Sequence, residues 1–355
     1  MSDRYSRQVL FERLGQTGQR RLGASSALLV GCGALGSLVS EWLVRAGVGR
    51  LRIVDRDFVE ESNLHRQVLF DEEDARHAIP KAVAAERRLR AINSTVVVEG
   101  VIADVTSDNI ATLARGCDLI LDGSDNFEVR YLINDLSVRD TIPWIYAGAV
   151  GSYGATMNVL PGETACLRCM FETPPPPGTS PTCDTAGVLG PVVGVISSLE
   201  AAEAIKLLSG RRERMSRDLV AVDVWEGRVE RIRPRRRSGA AERQGGRQGI
   251  AGGEDVCPVC VGGSFDHLEG ACSSRAGVMC GRDSLQVVPA SRTEMDLEGL
   301  ARRLAAIGEV TANRFLVRVR VGHNELTVFR DGRAIVSGTT DPGEARALYA
   351  RYIGV

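Results

Sequence analysis

The chain has 355 residues, of which 44% are hydrophobic and 25% are charged, and its formal net charge is -1. This composition is typical of a globular protein with two or three domains, and it excludes collagen-like, coiled-coil and wholly disordered classes. The charge balance argues against a dedicated nucleic-acid binder or a polybasic membrane anchor. Neither a secretory signal nor an uninterrupted apolar stretch of membrane-spanning length is visible, so the nine cysteines fit a reducing cytoplasm.

Residues 1–165 alternate short apolar runs with helix-favouring segments such as Lys81–Ile92. The apolar runs have the length and bulk of buried parallel strands: Ala27–Val30, Leu51–Val54, Val96–Val98, Leu119–Leu121 and Trp144–Ala147. The alternation predicts a doubly wound, mostly parallel, Rossmann-like α/β sheet. Glycines and alternating bulk over residues 148–160 predict antiparallel strands that extend it.

The second half of the chain is organised differently. A helix is expected at Gly194–Leu208 and a hairpin at Leu219–Ile232, followed by an Arg/Gly-rich flexible linker at residues 233–255. After Cys280, two helical and several strand patterns predict a small α+β module. We therefore expect one domain from residues 1–232 and 256–290, the linker, and a C-terminal module at 291–355.

A glycine motif follows the first predicted strand and opens a helix. Gly31, Gly33 and Gly36 form a G-x-G-x-x-G pattern, where a tight turn lets the backbone approach a phosphate. Asp55 follows about 20 residues later, at the end of the second strand, and is placed to accept hydrogen bonds from a ribose. The pattern predicts nucleotide binding without distinguishing NAD, FAD and ATP.

Two cations follow this acidic residue. Arg66, within Ser62–Gln67, and Lys81 suit a triphosphate and a departing pyrophosphate better than the diphosphate of a dinucleotide. Asp122 and Asp125 follow the fourth strand, where a carboxylate could hold Mg²⁺; the alternative is that they cap the next helix.

The four cysteines Cys166, Cys169, Cys257 and Cys260 form two CxxC pairs, which predict a closed structural Zn²⁺ site. The site would link the end of the linker to the catalytic domain. Cys183 is isolated before an apolar helix and is a candidate reactive thiol. Cys32 and Cys117 are interpreted as packing residues.

Together these motifs, with the Arg4–Gln8 segment and Arg130, resemble the ubiquitin-activating-like adenylyltransferases of the bacterial ThiF/MoeB/HesA type. These enzymes activate sulfur carrier proteins for thiamine-thiazole and molybdopterin synthesis. The resemblance implies a homodimer in which Arg7 reaches the neighbouring site, and it makes Cys183 a transfer residue in some members. It implies that the following residues contact ATP or its magnesium: Gly33, Ala34, Asp55, Asn63, Arg66, Lys81, Asp125 and Asn126. Further candidate nucleotide-binding residues in the same motifs are Gly31, Gly36, Asp57, Ser62 and Gln67. Ala34 stands where relatives often have glycine, and it fits only with a negative φ.

The implied reaction is attack by the C-terminal Gly-Gly carboxylate of a small ubiquitin-like carrier on the α-phosphate of ATP, with release of pyrophosphate. Arg7 of the partner, Arg66, Lys81 and a Mg²⁺ ion held by Asp125 would neutralise and position the phosphates. A sulfur donor such as a cysteine desulfurase is a further candidate partner, whereas nucleic acid and membrane are not expected. The alternatives are an NAD-dependent oxidoreductase with structural zinc, and a non-catalytic scaffold that keeps the fold.

Overall fold

The computed structural model describes residues 3–174, 186–238, 256–270, 284–288 and 294–353. These residues form two sheets with the strand orders β3-β2-β1-β4-β5-β6-β7-β8 and β10-β11-β12-β13-β9. The strands are β1 (Ser26–Val30), β2 (Arg50–Asp55), β3 (Val97–Ile102), β4 (Leu119–Asp122), β5 (Trp144–Val150), β6 (Tyr153–Val159), β7 (Leu219–Asp223), β8 (Arg228–Ile232), β9 (Ser284–Val287), β10 (Glu309–Ala312), β11 (Leu316–Val321), β12 (Asn324–Phe329) and β13 (Ala334–Ser337).

The first sheet is parallel from β3 to β5 and antiparallel from β5 to β8. Parallel strands require helical crossovers, which the chain supplies on both faces. The described helices are α1 (Ser6–Val9), α2 (Gly15–Leu22), α3 (Ala34–Ala46), α4 (Glu72–Arg76), α5 (Lys81–Ile92), α6 (Ile110–Leu113), α7 (Phe127–Asp140), α8 (Leu167–Met170), α9 (Gly190–Leu208), α10 (Leu297–Leu304) and α11 (Pro342–Tyr352).

Alternate residues of the central strands supply two hydrophobic cores. Leu29 belongs to the cluster that contains α3 and α5 residues such as Leu43 and Leu89. Leu28 belongs to the cluster on the other face, with α7 residues such as Leu136. Burial on both faces explains why these strands are continuous apolar runs rather than alternating ones. The predicted mostly parallel α/β sheet with antiparallel extension is confirmed.

The second sheet is antiparallel and packs with α10 and α11 around its own core. Its edge strand β9 comes before residue 291, and β9 and β10 were not expected from the sequence. Their sequences, SLQV and EVTA, contain no continuous apolar run of the kind that marks the other short strands. The division at residue 290 stays a prediction. No helix among the described residues is both long and apolar enough to cross a membrane.

Candidate functional site

The glycine turn between β1 and α3 is packed too closely for side chains at two of its positions. Gly31 has a φ of +87°, and a Cβ there would lie 2.7 Å from the backbone of Gly123. A Cβ on Gly36 would lie 2.2 Å from the carbonyl oxygen of Gly31. Gly123, which sequence reasoning did not single out, follows β4, and its own Cβ would meet the same oxygen at 2.2 Å. The ends of β1, β4 and α3 therefore meet backbone to backbone.

The remaining glycine of the motif, Gly33, has room for a Cβ in ordinary van der Waals contact. A Cβ built on Gly33 would meet no atom closer than 3.9 Å, and one of the two atoms at that distance is Nε2 of Gln67. Gln67 is 3% exposed, and its Oε1 has no hydrogen-bond partner among the described residues. No side chain in the described part of the chain caps the N-terminus of α3, which begins at Ala34 with a negative φ, as an alanine requires. Helix N–H groups and an amide therefore surround a space that suits an anion.

Asp55 ends β2 beside this turn. Its Oδ2 accepts a hydrogen bond from the N–H of Cys32 at 2.6 Å, and its Oδ1 accepts one from the N–H of Asp57 at 2.7 Å. Burial raises the pKa of this carboxyl group, although the positive charge of Lys81 opposes the shift. Asp55 thus fixes the glycine turn to the second strand at the position where a ribose is expected.

Lys81 begins α5 and is only 5% exposed. Its Nζ lies 3.3 Å from Oδ2 of Asp57, and its backbone N–H donates to the Asp57 carbonyl at 2.9 Å. A buried ammonium group needs a paired charge, and Asp57 supplies it. The structure therefore brings Asp55, Asp57 and Lys81 together at the carboxyl edge of the sheet.

The segment between them forms a turn that its own side chains stabilise. Asn63 is 1% exposed, and its Oδ1 accepts from the N–H of Glu60 in a capping box. Arg66 donates from Nη1 to the carbonyl of Ser62 at 2.8 Å, while Ser62 itself is exposed. Asn63 therefore has a structural role here in addition to the predicted one.

Asp122 is held by protein groups. It is fully buried, its Oδ1 accepts from both the N–H and the Oγ of Ser124, and its Oδ2 accepts from Nε of Arg130 at 2.9 Å. Burial raises its pKa, and Arg130 opposes the shift. Its two oxygens are therefore occupied by hydrogen bonds that shape the loop, and this observation favours a structural role.

The neighbouring acidic residue is different. Asp125 is exposed, and the helix that follows is capped by Asn126, whose Oδ1 accepts from the N–H of Glu128 at 2.8 Å. The alternative interpretation that Asp122 and Asp125 cap α7 is therefore wrong, because Asn126 occupies the N-cap position. The carboxylate of Asp125 is therefore exposed at the edge of the sheet, where it can contact a ligand.

Two charged residues at this site were missed. Nη1 of Arg56 donates to Oδ1 of Asp104 at 3.1 Å. Burial lowers the pKa of this guanidinium group, but the negative charges nearby outweigh that effect and raise the pKa; they belong to Asp104, Asp57 and Asp125. Its position between Asp55 and Asp57 was the only signal. Glu200 is fully buried in α9, and neither of its carboxyl oxygens has a hydrogen-bond partner among the described residues.

Burial raises the pKa of Glu200 well above its usual value, and the negative charge of Asp122 adds to the shift. One signal could have found this residue: Ile196 and Ala204, four residues before and after it, place Glu200 on an apolar face of the helix.

Arg7 lies away from these groups as an exposed residue of α1. Leu10 and Phe11 beside it are 70% and 60% exposed. A groove of about 670 Å³ adjoins α1 and is lined by Gly47–Gly49 and Thr95, which precede β2 and β3. That groove therefore lies at the amino edge of the sheet, opposite the predicted nucleotide-binding residues.

The two CxxC pairs come together, as predicted. The Sγ–Sγ distances are 3.8 Å for Cys166–Cys169, 3.6 Å for Cys166–Cys257 and 3.5 Å for Cys169–Cys260. A tetrahedron with zinc–sulfur bonds of about 2.3 Å has edges of about 3.8 Å, whereas a disulfide requires about 2.05 Å. The four thiols therefore fit a zinc ion and do not form disulfides.

Backbone contacts join the second pair to residues 237 and 238. The N–H of Cys257 donates to the carbonyl of Arg237 at 2.8 Å, and Ser238 pairs with Val256.

Cys32 is fully buried and Cys117 partly buried against apolar cores, as packing residues would be. Cys183 lies outside the described residues.

Sequence comparison gives relatives over the whole chain. The chain is 42% identical over 355 residues to the sulfur carrier protein ThiS adenylyltransferase of Bacillus subtilis, covering 100% of both proteins. It is 43% identical over 240 residues to a sulfur carrier protein adenylyltransferase of Thermus thermophilus, which covers 66% of this chain and 88% of that protein. These names give no support to the NAD-dependent alternative.

Structural comparison agrees at the level of the fold. The Escherichia coli MccB structure with MccA-N7isoASN has a TM-score of 0.60 and 23% identity, covering 73% of this chain and 74% of that one. The model of the ThiF family matches residues 5–242. The chain therefore belongs to the ThiF family.

Proposed function

We propose that this protein uses ATP to adenylate the C-terminal carboxylate of a small ubiquitin-like sulfur carrier protein and releases pyrophosphate. The observation that carries the proposal is the full-length, 42% identity to a ThiS adenylyltransferase. The geometry also supports the proposal, because the glycine turn lies together with Asp55, Asp57 and Lys81 at one edge of the sheet. A nucleotide needs its ribose and phosphate contacts at such a single edge. The Gly-Gly ending of the carrier and its later conversion to a thiocarboxylate are part of the proposal.

The chemistry needs positioning and charge neutralisation. The nucleophile is already a carboxylate, so no base has to remove a proton from it. The carboxylate oxygen attacks the α-phosphorus, and the bond to the bridging oxygen of pyrophosphate breaks with its electron pair. We assign the ribose to Asp55, the phosphates to the α3 N-terminus and Gln67, and the leaving charge to Arg66 and Lys81.

Magnesium and zinc have separate roles in this scheme. Asp125 offers one exposed carboxylate, and Mg²⁺ commonly binds one or two carboxylates together with phosphate oxygens. When bound there, Mg²⁺ would neutralise phosphate charge. Zinc on the four cysteines would be structural, because four thiolates leave no coordination position for a substrate. Cys183 remains a candidate for a later transfer step, and adenylation itself does not require it.

The test is ATP–pyrophosphate exchange with purified carriers of the thiazole and molybdopterin types. Exchange should depend on a carrier ending in Gly-Gly, and deletion of its last glycine should abolish it. Lys81→Met should reduce exchange by about 100-fold, because a buried charge that faces the phosphates is lost. Lys206→Met, which removes a partly exposed lysine paired with Glu203 on α9, is the control. If no carrier supports exchange by zinc-loaded protein, the proposal is wrong.

We further propose a homodimer in which Arg7 completes the site of the neighbouring subunit. The exposed Leu10 and Phe11 beside it provide apolar surface for such contact. Arg7→Ala and Lys81→Met should each be inactive, but their mixture should recover about a quarter of the wild-type activity, since half the dimers then contain one intact site. If unfolded and refolded mixtures stay inactive, Arg7 does not act across subunits.

A further inference from the structure

The second sheet with the helices packed on it, residues 284–288 and 294–353 and called the C-terminal module from here on, contacts the segment that carries Asp57. Arg333, which precedes β13, is 3% exposed and donates from Nη2 to the backbone carbonyl of Arg56 at 3.0 Å. Gln286 in β9 donates to Oδ2 of Asp104 at 2.9 Å, and its Oε1 accepts from Nη1 of Arg56 at 3.3 Å. The main chain and the side chain of Arg56 are thus both held by residues of the second sheet.

An apolar contact accompanies these hydrogen bonds. Phe58 and Ala78 are buried in one cluster with Leu316, Phe329 and Ile335 of the module. The guanidinium group of the module's Arg318 lies 4.3 Å from the ring centroid of Phe58. Phe58 comes one residue after Asp57, so the module fixes both neighbours of the carboxylate that pairs with Lys81.

The module also holds the segment that precedes Lys81. Asn313 donates from Nδ2 to the carbonyl of His77 at 2.7 Å and lies 3.3 Å from that of Ala78. Ala78 has a φ of +46°, an unusual backbone conformation for alanine that these contacts support. Phe58 pairs with Pro80, which directly precedes Lys81. The two backbone segments that carry Asp57 and Lys81 are therefore joined to each other and are packed on one body.

We propose that the C-terminal module is a positioning element of the nucleotide site, and that Arg333 is its principal positioning residue. Arg333 acts through the Arg56 carbonyl, which belongs to the same peptide group as the N–H of Asp57 that donates to Asp55. Holding this peptide orients the Asp55 carboxylate toward a ribose and the Asp57 carboxylate toward Lys81. This inference rests on the nucleotide site assigned under the proposed function.

The effect should fall on ATP affinity more than on turnover. The Thermus thermophilus relative aligns over 240 residues, which are 88% of its length, so it has too little remaining chain for a module of this size. Its name nevertheless describes a sulfur carrier protein adenylyltransferase. The module is therefore an addition that orders a site whose chemistry other groups perform.

The test compares full-length wild type with Arg333→Met, Arg333→Lys and Arg303→Met. Methionine keeps much of the length of arginine but removes the donor; lysine keeps a charged donor. Arg303 is the matched control, because its Nη2 donates to the carbonyl of Ile353 at 2.9 Å inside the module, away from Arg56. Titration calorimetry measures the Kd for a non-hydrolysable ATP analogue with Mg²⁺, without carrier, and thermal unfolding shows whether each variant is folded.

We expect Arg333→Met to weaken binding of the analogue about tenfold, because a buried carbonyl loses a charged donor. Arg333→Lys should restore most of the affinity, and Arg303→Met should leave it unchanged. In the exchange assay, Arg333→Met should raise the KM for ATP and leave kcat within about twofold. If Arg333→Met does not fold, the Kd of the analogue is measured for Gln286→Met instead. This variant removes the contact between Gln286 and the side chain of Arg56, and it tests the same inference.

Two results would overturn the inference: a folded Arg333→Met variant with wild-type affinity, or an equal loss of affinity in Arg303→Met. Failure of the proposed function is distinguishable from both. In that case the wild type would bind the analogue and no carrier would support exchange, while the order of affinities among the variants could still be measured.

Discussion

The ion pair between Asp122 and Arg130 offers a sharp test of what holds the loop after β4. Their side chains are 0% and 7% exposed, and Nη2 of Arg130 also donates to the carbonyls of Ser124 at 2.8 Å and Ala147 at 3.0 Å. Arg130→Met would leave a buried carboxylate without its counter-charge and two carbonyls without a donor. Breaking a buried pair in this way costs about 3–5 kcal/mol, a large part of the 5–15 kcal/mol stability of a typical protein.

The assay is urea unfolding of the two single variants, Arg130→Met and Asp122→Asn, and of the double variant. Asparagine can still accept from Ser124, so the double variant removes both charges without leaving either unpaired. We expect it to be more stable than the sum of the single losses by at least about 2 kcal/mol. Arg139→Met on the same helix is the control: its pair with Asp140 is 40% and 36% exposed and should contribute less than about 1 kcal/mol. Coupling below about 0.5 kcal/mol would refute the reasoning.

Three further predictions follow from the site. Metal analysis should find one zinc ion per chain. Cys257→Ser should lose the zinc and with it thermal stability, whereas the control Cys117→Ser should keep both. A wild-type protein that is purified without zinc and is equally stable would contradict the structural role of the four cysteines. Burial raises the pKa of Glu200 in the folded protein above the value of about 4.3 expected for the unfolded chain. The contribution of this group to stability should therefore be greatest below about pH 4.3 and should decline as the pH rises toward the pKa in the folded protein. Glu200→Gln should remove that decline in pH-dependent unfolding, and an unchanged dependence of stability on pH would exclude Glu200 as its source. Gly36→Ala should lower both stability and ATP affinity, whereas Gly33→Ala, whose Cβ would make only ordinary van der Waals contacts, should lower ATP affinity with little loss of stability.

Much of the first sheet could be predicted because its signals are local. Buried parallel strands appear as continuous apolar runs, and the glycine motif marks the turn after the first one. The helix predicted at Lys81–Ile92 has those bounds in the structure. The Cys166–Cys169 and Cys257–Cys260 pairs could also be matched from spacing alone, since a CxxC turn places two thiolates on one metal.

The remaining site residues depend on contacts between distant parts of the chain. No pattern near Arg56 indicates that Gln286 or Arg333 will contact it. Asp122 was a candidate metal ligand because its position after β4 was visible in the sequence while its ion-pair partner was not. That partner, Arg130, lies eight residues later and was recognised only as part of a motif. Glu200 lies on a helix whose apolar pattern predicts burial but not which loop it faces. Local periodicity specifies elements, while tertiary packing decides the role of each charge.

The charge balance at the nucleotide edge bears on how ATP can bind there. The formal charges are close to cancelling in one chain, since the cations are Arg56, Arg66 and Lys81 and the carboxylates are Asp55, Asp57, Asp104 and Asp125. A triphosphate adds about four negative charges, which this set cannot neutralise by itself. The α3 N-terminus contributes about half a positive charge. In the proposed scheme, Mg²⁺ and the Arg7 of a neighbouring subunit would supply the remaining charge. ATP affinity should then fall steeply when either is removed, and a single chain without metal should bind ATP poorly even with every other contact intact.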